Sequence, residues 1–326
     1  MKNKKLSLGG AGQNFVIILA AIVLFAIFYL INPGFASQGN LLTMAKSFVP
    51  YAILALGVTF VIATGGIDLS IGTVCIGSAV LAGALCKTGV SIEDGTLWAT
   101  IPIILTTGLV FGLLNGVLVA KCKIAPFIAT LGSMLVSRGL TAVIAEAVRA
   151  TSSAVKYPTT GWFQKVFTNL NGFPIGIVWV LVLTILCMIV MYKTKIGRYI
   201  LCIGSNREAV RLSGVDTRKW EMLAYIFCGT LAGIAAITYV GVITQVQPGL
   251  GDEFNNNAIA SCVMGGTSMA GGVASIGGTF IGVLIISLLR VGIQAMGFRP
   301  DYQYIITGII VALAVFADIR SSSRRK

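Results

Sequence analysis

The stretch VPYAILALGVTFVIATGGIDLSIGTVCIGSAVLAG, Val49 to Gly83, decides the fold. A largely apolar run ending Leu54 to Ala63 stops at Thr64-Gly65-Gly66-Ile67-Asp68-Leu69-Ser70, and apolar sequence then resumes. A helix crosses about 30 Å of hydrocarbon in about 20 residues at 1.5 Å each, so the two sides read as membrane helices. Adjacent glycines break a helix, while Asp68 and Ser70 are of the type that caps the next one. Unwound backbone at membrane depth is tolerated only where protein or a water-filled cavity satisfies it. A carboxylate there costs roughly 2.5 to 3.5 kcal/mol, so Asp68 is expected to be paired, capped or solvated. Two compatible readings stand: Asp68 beside a translocation pathway, or Asp68 capping a helix at the membrane interface.

The same character runs through all 326 residues, which are 56% hydrophobic and 11% charged with a mean hydropathy of +0.91. A soluble domain carries about 25% charged residues. Apolar blocks near 15–31, 48–64, 70–86, 98–120, 125–146, 175–192, 222–244, 257–270, 273–292 and 302–319 predict about ten transmembrane helices. A membrane β-barrel would show short alternating segments instead. The reading is all-α: a polytopic integral membrane protein, 1–326 forming a single transmembrane domain. The first block follows Lys2, Lys4 and Lys5 but exceeds a usual signal h-region and lacks a small-residue cleavage site, so it is read as a retained span.

Seven cysteines (Cys75, Cys86, Cys122, Cys187, Cys202, Cys228, Cys262) form no CxxC pair and read as small buried hydrophobes, not disulfides or metal ligands. The sequence has no histidine, which excludes histidine-based triads and histidine-ligated metals. Gly266-Thr267-Ser268-Met269 is similar to the GxSx of rhomboid proteases, but those need a histidine base. No catalytic residues, no metal site and no cofactor are expected. With no GxxxxGK[ST] loop, ATP must be bound by another chain.

The net charge of +13 reflects topology. With a cytoplasmic N-terminus, the inside segments are the N-terminal tail, Lys121 with Lys123, residues 193–219 and the C-terminal tail. They hold 16 of the 24 Lys and Arg, as the positive-inside rule asks. Both termini are then cytoplasmic, membrane lipid is the partner of the basic surface, and nucleic acid is not.

A second polar break runs from Gln245 through Pro248-Gly249-Leu250-Gly251-Asp252-Glu253 to Asn255-Asn256-Asn257. Behind it lie Gly265-Gly266, Gly271-Gly272 and Gly277-Gly278. Gly108, Gly112 and Gly116, Gly229 with Gly233, and Gly278 with Gly282 recur four apart, the spacing that lets helix backbones approach closely. The two breaks fall on opposite membrane faces, which suits an inverted repeat. Asn115, near the Gly108 stripe, reads as an interhelical hydrogen-bonding group. Asp68, Ser70 and Asn255 to Asn257 are the candidate pathway residues, and Gly65, Gly66, Gly265 and Gly266 the helix-breaking ones.

Between Lys193 and Lys219, residues 206–213 have helix-forming character, with Asn206 as cap and Gly214 as stop. A short surface helix of this kind fits a groove on a partner; the alternative is a basic loop at anionic lipid. Glu208-Ala209-Val210, three residues, then Gly214 resembles the EAA-xxx-G motif of ABC importer permeases, departing at the third alanine. Taken with Thr64 to Gly72, Ile124-Ala125-Pro126-Phe127-Ile128-Ala129-Thr130-Leu131-Gly132 and Ala258 to Thr267, the chain resembles ribose-type monosaccharide ABC importer permeases over about residues 45–318.

The resemblance implies a permease of a binding-protein-dependent importer in the bacterial cytoplasmic membrane. It implies a second permease copy (a homodimer), a cytoplasmic ATP-binding subunit docked at Asn206, Glu208, Ala209 and Gly214, and a periplasmic or extracellular sugar-binding protein. Asn255 to Asn257 replace a Glu-Leu-Asp usual in the family, and a basic residue is missing near Thr307. The rival class is an ion-coupled secondary transporter, which needs intramembrane acids; only Asp68 and Glu146 are available.

Overall fold

The computed structural model describes residues 10–86, 97–149, 154–158, 161–168, 170, 172–243, 245–299 and 301–323. Lys2, Lys4, Lys5 and Arg324 to Lys326 lie outside the described residues. The elements in order are α1 (Gly10–Ile31), α2 (Gln38–Ala63), α3 (Ile71–Leu85), α4 (Leu97–Gly116) running into a π-turn (Val117–Lys121), α5 (Pro126–Arg149), β1 (Val155–Lys156), α6 (Trp162–Phe167), α7 (Gly176–Lys193), α8 (Lys195–Leu212), α9 (Thr217–Val242), β2 (Gln245–Val246), α10 (Asp252–Met264), α11 (Ile276–Ala295) and α12 (Asp301–Ser323). The two strands form one short antiparallel pair, Val155 opposite Val246.

Nine of the ten expected apolar blocks fall largely on a helix each. By length and composition, α2, α4 with its π-turn, α5, α7, α9 and α11 can each cross a membrane, while α1 and α3 contribute shorter apolar helices. The expected eighth span is corrected. Its helix is Asp252–Met264, not 257–270, because Asp252 and Glu253 suit the positive end of a helix and Gly266, at φ +87°, ends it. The second break therefore closes at Gly251, and Asn255 to Asn257 lie on the first turns of α10. The cysteine reading holds for Cys75, Cys187, Cys228 and Cys262, which are buried, but Cys122 and Cys202 are exposed on the basic segments.

At the centre stands α2, whose sixteen residues from Phe48 to Ala63 are all buried. A helix apolar on every side is one surrounded by others. It packs on α9, α10 and α11, and α9 in turn packs on α3 and α4.

This arrangement is a repeat. Adding 179 to the bounds of α2 gives those of α9, and adding 179 to those of α4 gives those of α11. The same shift takes the capping residue Ser37 to Asp216; each side chain accepts from backbone N–H groups of the first turn it caps. Contacts repeat as well: α4 lies on α9 as α11 lies on α2, and α3 on α9 as α10 on α2. Gly72 maps onto Gly251, and these two meet face to face, the Cβ position of each falling against the other's carbonyl oxygen. The N-terminal ends of α3 and α10 thus converge. Antiparallel α2 and α9 make the repeat inverted: Tyr51 and Tyr239 both contact Phe254, while Gly66 at the far end of α2 lies against Tyr225.

Candidate functional site

One end of the molecule is organised by α8. The expected helix at 206–213 is the distal part of a longer one, which starts at Lys195 and bends at Asn206 (φ −155°, ψ 94°). The bend lets Asn206 Oδ1 accept from Ala209 N at 3.0 Å, capping residues 207–212. Gly214, at φ +80°, closes the helix, its N–H donating to Arg211 O at 3.0 Å. On the exposed surface Glu208 accepts from Arg211 Nε (2.9 Å) and Nη2 (2.5 Å). That hydrogen bonding holds the Glu208 carboxyl below the usual carboxylate range. Arg207 pairs with the buried Glu221 of α9, which ties the bent helix to the bundle.

The proximal part of α8 meets the helix breaks. Gly204 packs on the Ala63 carbonyl and on Gly272; Gly272 N donates to Ala63 O at 3.0 Å, and Gly271 abuts Gly65. Gly65, Gly271 and Gly272 all have positive φ (81°, 83° and 76°), a backbone that side chains resist. Gly265 forms the C-terminal cap of α10 and packs on Gly278.

Asp68 and Ser70 are both buried. Asp68 Oδ1 accepts from Ser70 N (2.9 Å) and Ser70 Oγ (2.7 Å). Ser70 occupies the capping position of α3 without a side-chain bond to that helix. Asn115 of α4 donates to Ser70 Oγ at 2.8 Å, an interhelical bond of the expected kind. Neither Asp68 nor Ser70 lines either of the two larger polar cavities described below.

A cavity of about 480 Å³ opens between the first break, α10 and α12, walled by Ile67, Leu69, Asn256, Asn257, Glu253 and Thr307 among others. The asparagine run divides here. Asn256 is exposed on the cavity and Asn257 borders it, whereas Asn255 turns inward, its Oδ1 accepting from Gly72 N at 2.5 Å. Thr307 Oγ1 is buried with no hydrogen-bond partner among the described residues, and Thr307 lines the same wall.

Glu253 and Tyr304 were not singled out by the sequence reading. Glu253 lies three and four residues before Asn256 and Asn257, on the same helical face, which is the signal that could have found it. Its carboxylate receives Tyr304 Oη at 3.2 Å and Tyr51 Oη at 3.0 Å, and Arg290 Nη1 approaches to 3.2 Å. Among the described residues no group of three or more His, Cys, Asp or Glu could hold a metal ion.

The bundle thus combines broken helices, a polar cavity bordering the first break, and a helix α8 rooted on that break through Gly204 with its capped end exposed. Comparison with known proteins finds membrane permeases. The ribose import permease protein RbsC of Escherichia coli strain K12 is 36% identical over 306 residues, covering 92% of both chains. The Bacillus subtilis strain 168 protein of the same name is 33% identical over 324 residues, 99% of this chain and 98% of its own. The galactose/methyl galactoside import permease protein MglC of Salmonella typhimurium strain LT2 is 31% identical over 322 residues, 95% of each. No solved structure matches. Residues 40–315 match the model of the branched-chain amino acid transport system permease component, and the chain belongs to that family of membrane permeases.

Proposed function

We propose that this chain is the membrane subunit of an ATP-driven, binding-protein-dependent importer of a monosaccharide. The observation that carries the reading is the bent end of α8: a capped, charged helix presented outward and packed at its root, through Gly204, on the helix breaks. The names of the relatives supply the sugar.

In this reading the basic end, where Lys121, Lys123 and residues 193–219 gather, is cytoplasmic, as are both termini, and ten helices span the inner membrane. A cytoplasmic ATP-binding subunit docks on Asn206, Glu208, Ala209 and Gly214 and supplies the ATP site. A second copy of the permease faces the cavity walled by Asn256, Asn257 and Thr307, completing the pathway. A sugar-binding protein delivers solute at the opposite end. Asp68 and Ser70 stiffen the break from behind, and Asn255 locks α10 to α3. ATP binding shifts the permease between two conformations by favouring one of them.

The test is reconstitution in liposomes with an ATP-binding subunit and a sugar-binding protein from the same organism. D-ribose or D-galactose uptake that requires ATP and all three components is the expected result. Uptake by the purified permease alone, driven by an ion gradient, would overturn it.

A further inference from the structure

The inverted repeat has two equivalent sites, one sealed and one open. In the first half, Gly108, Gly112 and Gly116 of α4 let α9 approach backbone to backbone, with Gly112 against Gly229 Cα and the Tyr225 carbonyl. Asn115 and Ser70 meet in the closed space. The shift of 179 residues turns these three glycines into Ser287, Val291 and Ala295, and turns Asn115, Ser70 and Tyr225 into Gln294, Gly249 and Lys46. Side chains now stand where glycines allowed contact, and a cavity of about 410 Å³ opens at the equivalent place, lined by those last three residues. It lies beside Lys46, about 25 Å along α2 from the Ala63 junction with α8.

The lining of this cavity is amphipathic, with both signs of charge. Each carboxylate of the lining is matched by an arginine, Asp252 by Arg138 of α5 at 3.4 Å and Glu253 by Arg290 at 3.2 Å, with Lys46 as a further cation, and Tyr51 and Tyr239 contribute aromatic wall. Arg290 spends Nη1 on Tyr51 and Glu253, while its Nε and Nη2 donate to no described residue. Paired carboxylates beside free guanidinium donors and aromatic faces form a lining that suits a polyhydroxylated molecule. The volume lies in the range of small-ligand sites. Glu253 and Tyr304 border both this cavity and the pathway cavity, so their 3.2 Å hydrogen bond is the partition between the two.

We propose that the open member of the pair is a second solute site, holding a monosaccharide-sized polyol in each permease before the Glu253–Tyr304 partition parts. This rests on the sugar-import reading. The test uses the full chain in lipid nanodiscs, with Gln294→Cys, and separately Thr43→Cys, as exposed reporters at the cavity. Maleimide labelling is corrected for the native cysteines by parallel labelling of the unsubstituted chain. D-ribose or D-galactose is expected to slow labelling about threefold at twice the dissociation constant, with L-leucine and sucrose without effect and protection lost in Arg290→Gln. Unchanged labelling at both positions in a permease whose reconstituted complex imports the sugar overturns the second site and leaves the import reading standing. Protection by L-leucine alone overturns the polyol assignment. Absence of import of any of these sugars overturns the reading beneath, and this proposal with it.

Discussion

Gly204 of α8 lies so close to the carbonyl of Ala63, the last residue of α2, that a Cβ on it would overlap the oxygen, and Gly272 N donates to that same oxygen at 3.0 Å. Three chain segments therefore converge on one carbonyl.

Gly204→Ala places a methyl group in this junction. Overpacking of a rigid contact costs about 1–3 kcal/mol, enough to part α8 from the break without unfolding the bundle. The expected result is normal membrane insertion, at least tenfold lower uptake in the reconstituted complex, and ATP hydrolysis that no longer responds to solute. Full coupling in the variant would remove Gly204 from the transmission path.

Gly214→Ala and Glu208→Ala test the docking end. Alanine at φ +80° costs about 1–2 kcal/mol and frays the last turn, so the permease should insert but lose affinity for its ATPase. Glu208 adds a pH dependence of known sign. Because Arg211 lowers its folded pKa, the pair is complete above the ordinary glutamate range and disappears only as pH falls through the lowered value. ATPase co-purification should accordingly weaken at acid pH in the wild type, and be weak and less pH-dependent in Glu208→Ala.

Arg207 and Glu221 predict an asymmetry. The Glu221 side chain is 5% exposed and that of Arg207 41%. Removing arginine strands a buried carboxylate, whereas removing glutamate leaves a guanidinium that water can reach. Arg207→Ala should lower the unfolding temperature in detergent more than Glu221→Ala, within an upper limit of about 3–5 kcal/mol for breaking a fully buried pair. The reverse order would mean that the pair is not what fixes α8.

Much of this fold is legible in sequence because hydrocarbon demands long apolar helices and punishes every exception. The glycine stripes, the break at Gly65-Gly66 and the Asn206–Gly214 segment all carry local signals. The repeat is faint there because its equivalent residues differ in kind: Gly112 answers to Val291 and Asn115 to Gln294. The shared property is helix length and register. Glu253 with Arg290 was hidden for another reason, since a contact between residues 37 apart on different helices leaves no periodicity. The asparagine run was visible as polar but not as divided, because whether a residue points in or out of α10 depends on where that helix starts.

The α4–α9 contact gives a paired control. A Cβ on Gly112 would sit 2.6 Å from the Tyr225 carbonyl oxygen, while one on Gly139 of α5 meets nothing within 4 Å. Gly112→Ala should destabilise the isolated subunit by about 1–3 kcal/mol; Gly139→Ala should stabilise it by about 0.5–1 kcal/mol through helix propensity alone. Thermal unfolding in detergent separates them, and equal effects would contradict backbone contact between α4 and α9.

Asn255 and Asn256 are neighbours with opposite duties. Asn255 Oδ1 accepts from the N–H of Gly72, holding the start of α3 to the start of α10, and among the described residues nothing else accepts from that donor. Asn255→Leu removes the bond and leaves a buried N–H unsatisfied, at about 1–3 kcal/mol, so its defect should be one of stability and yield. Asn256 faces the cavity, and Asn256→Leu makes one wall of it apolar while the packing stays intact. The expected result is a protein of wild-type melting temperature whose solute uptake is severalfold slower. Should Asn256→Leu transport normally while Asn255→Leu is stable but inactive, the pathway would have to run between α3 and α10 instead of along the α10–α12 face.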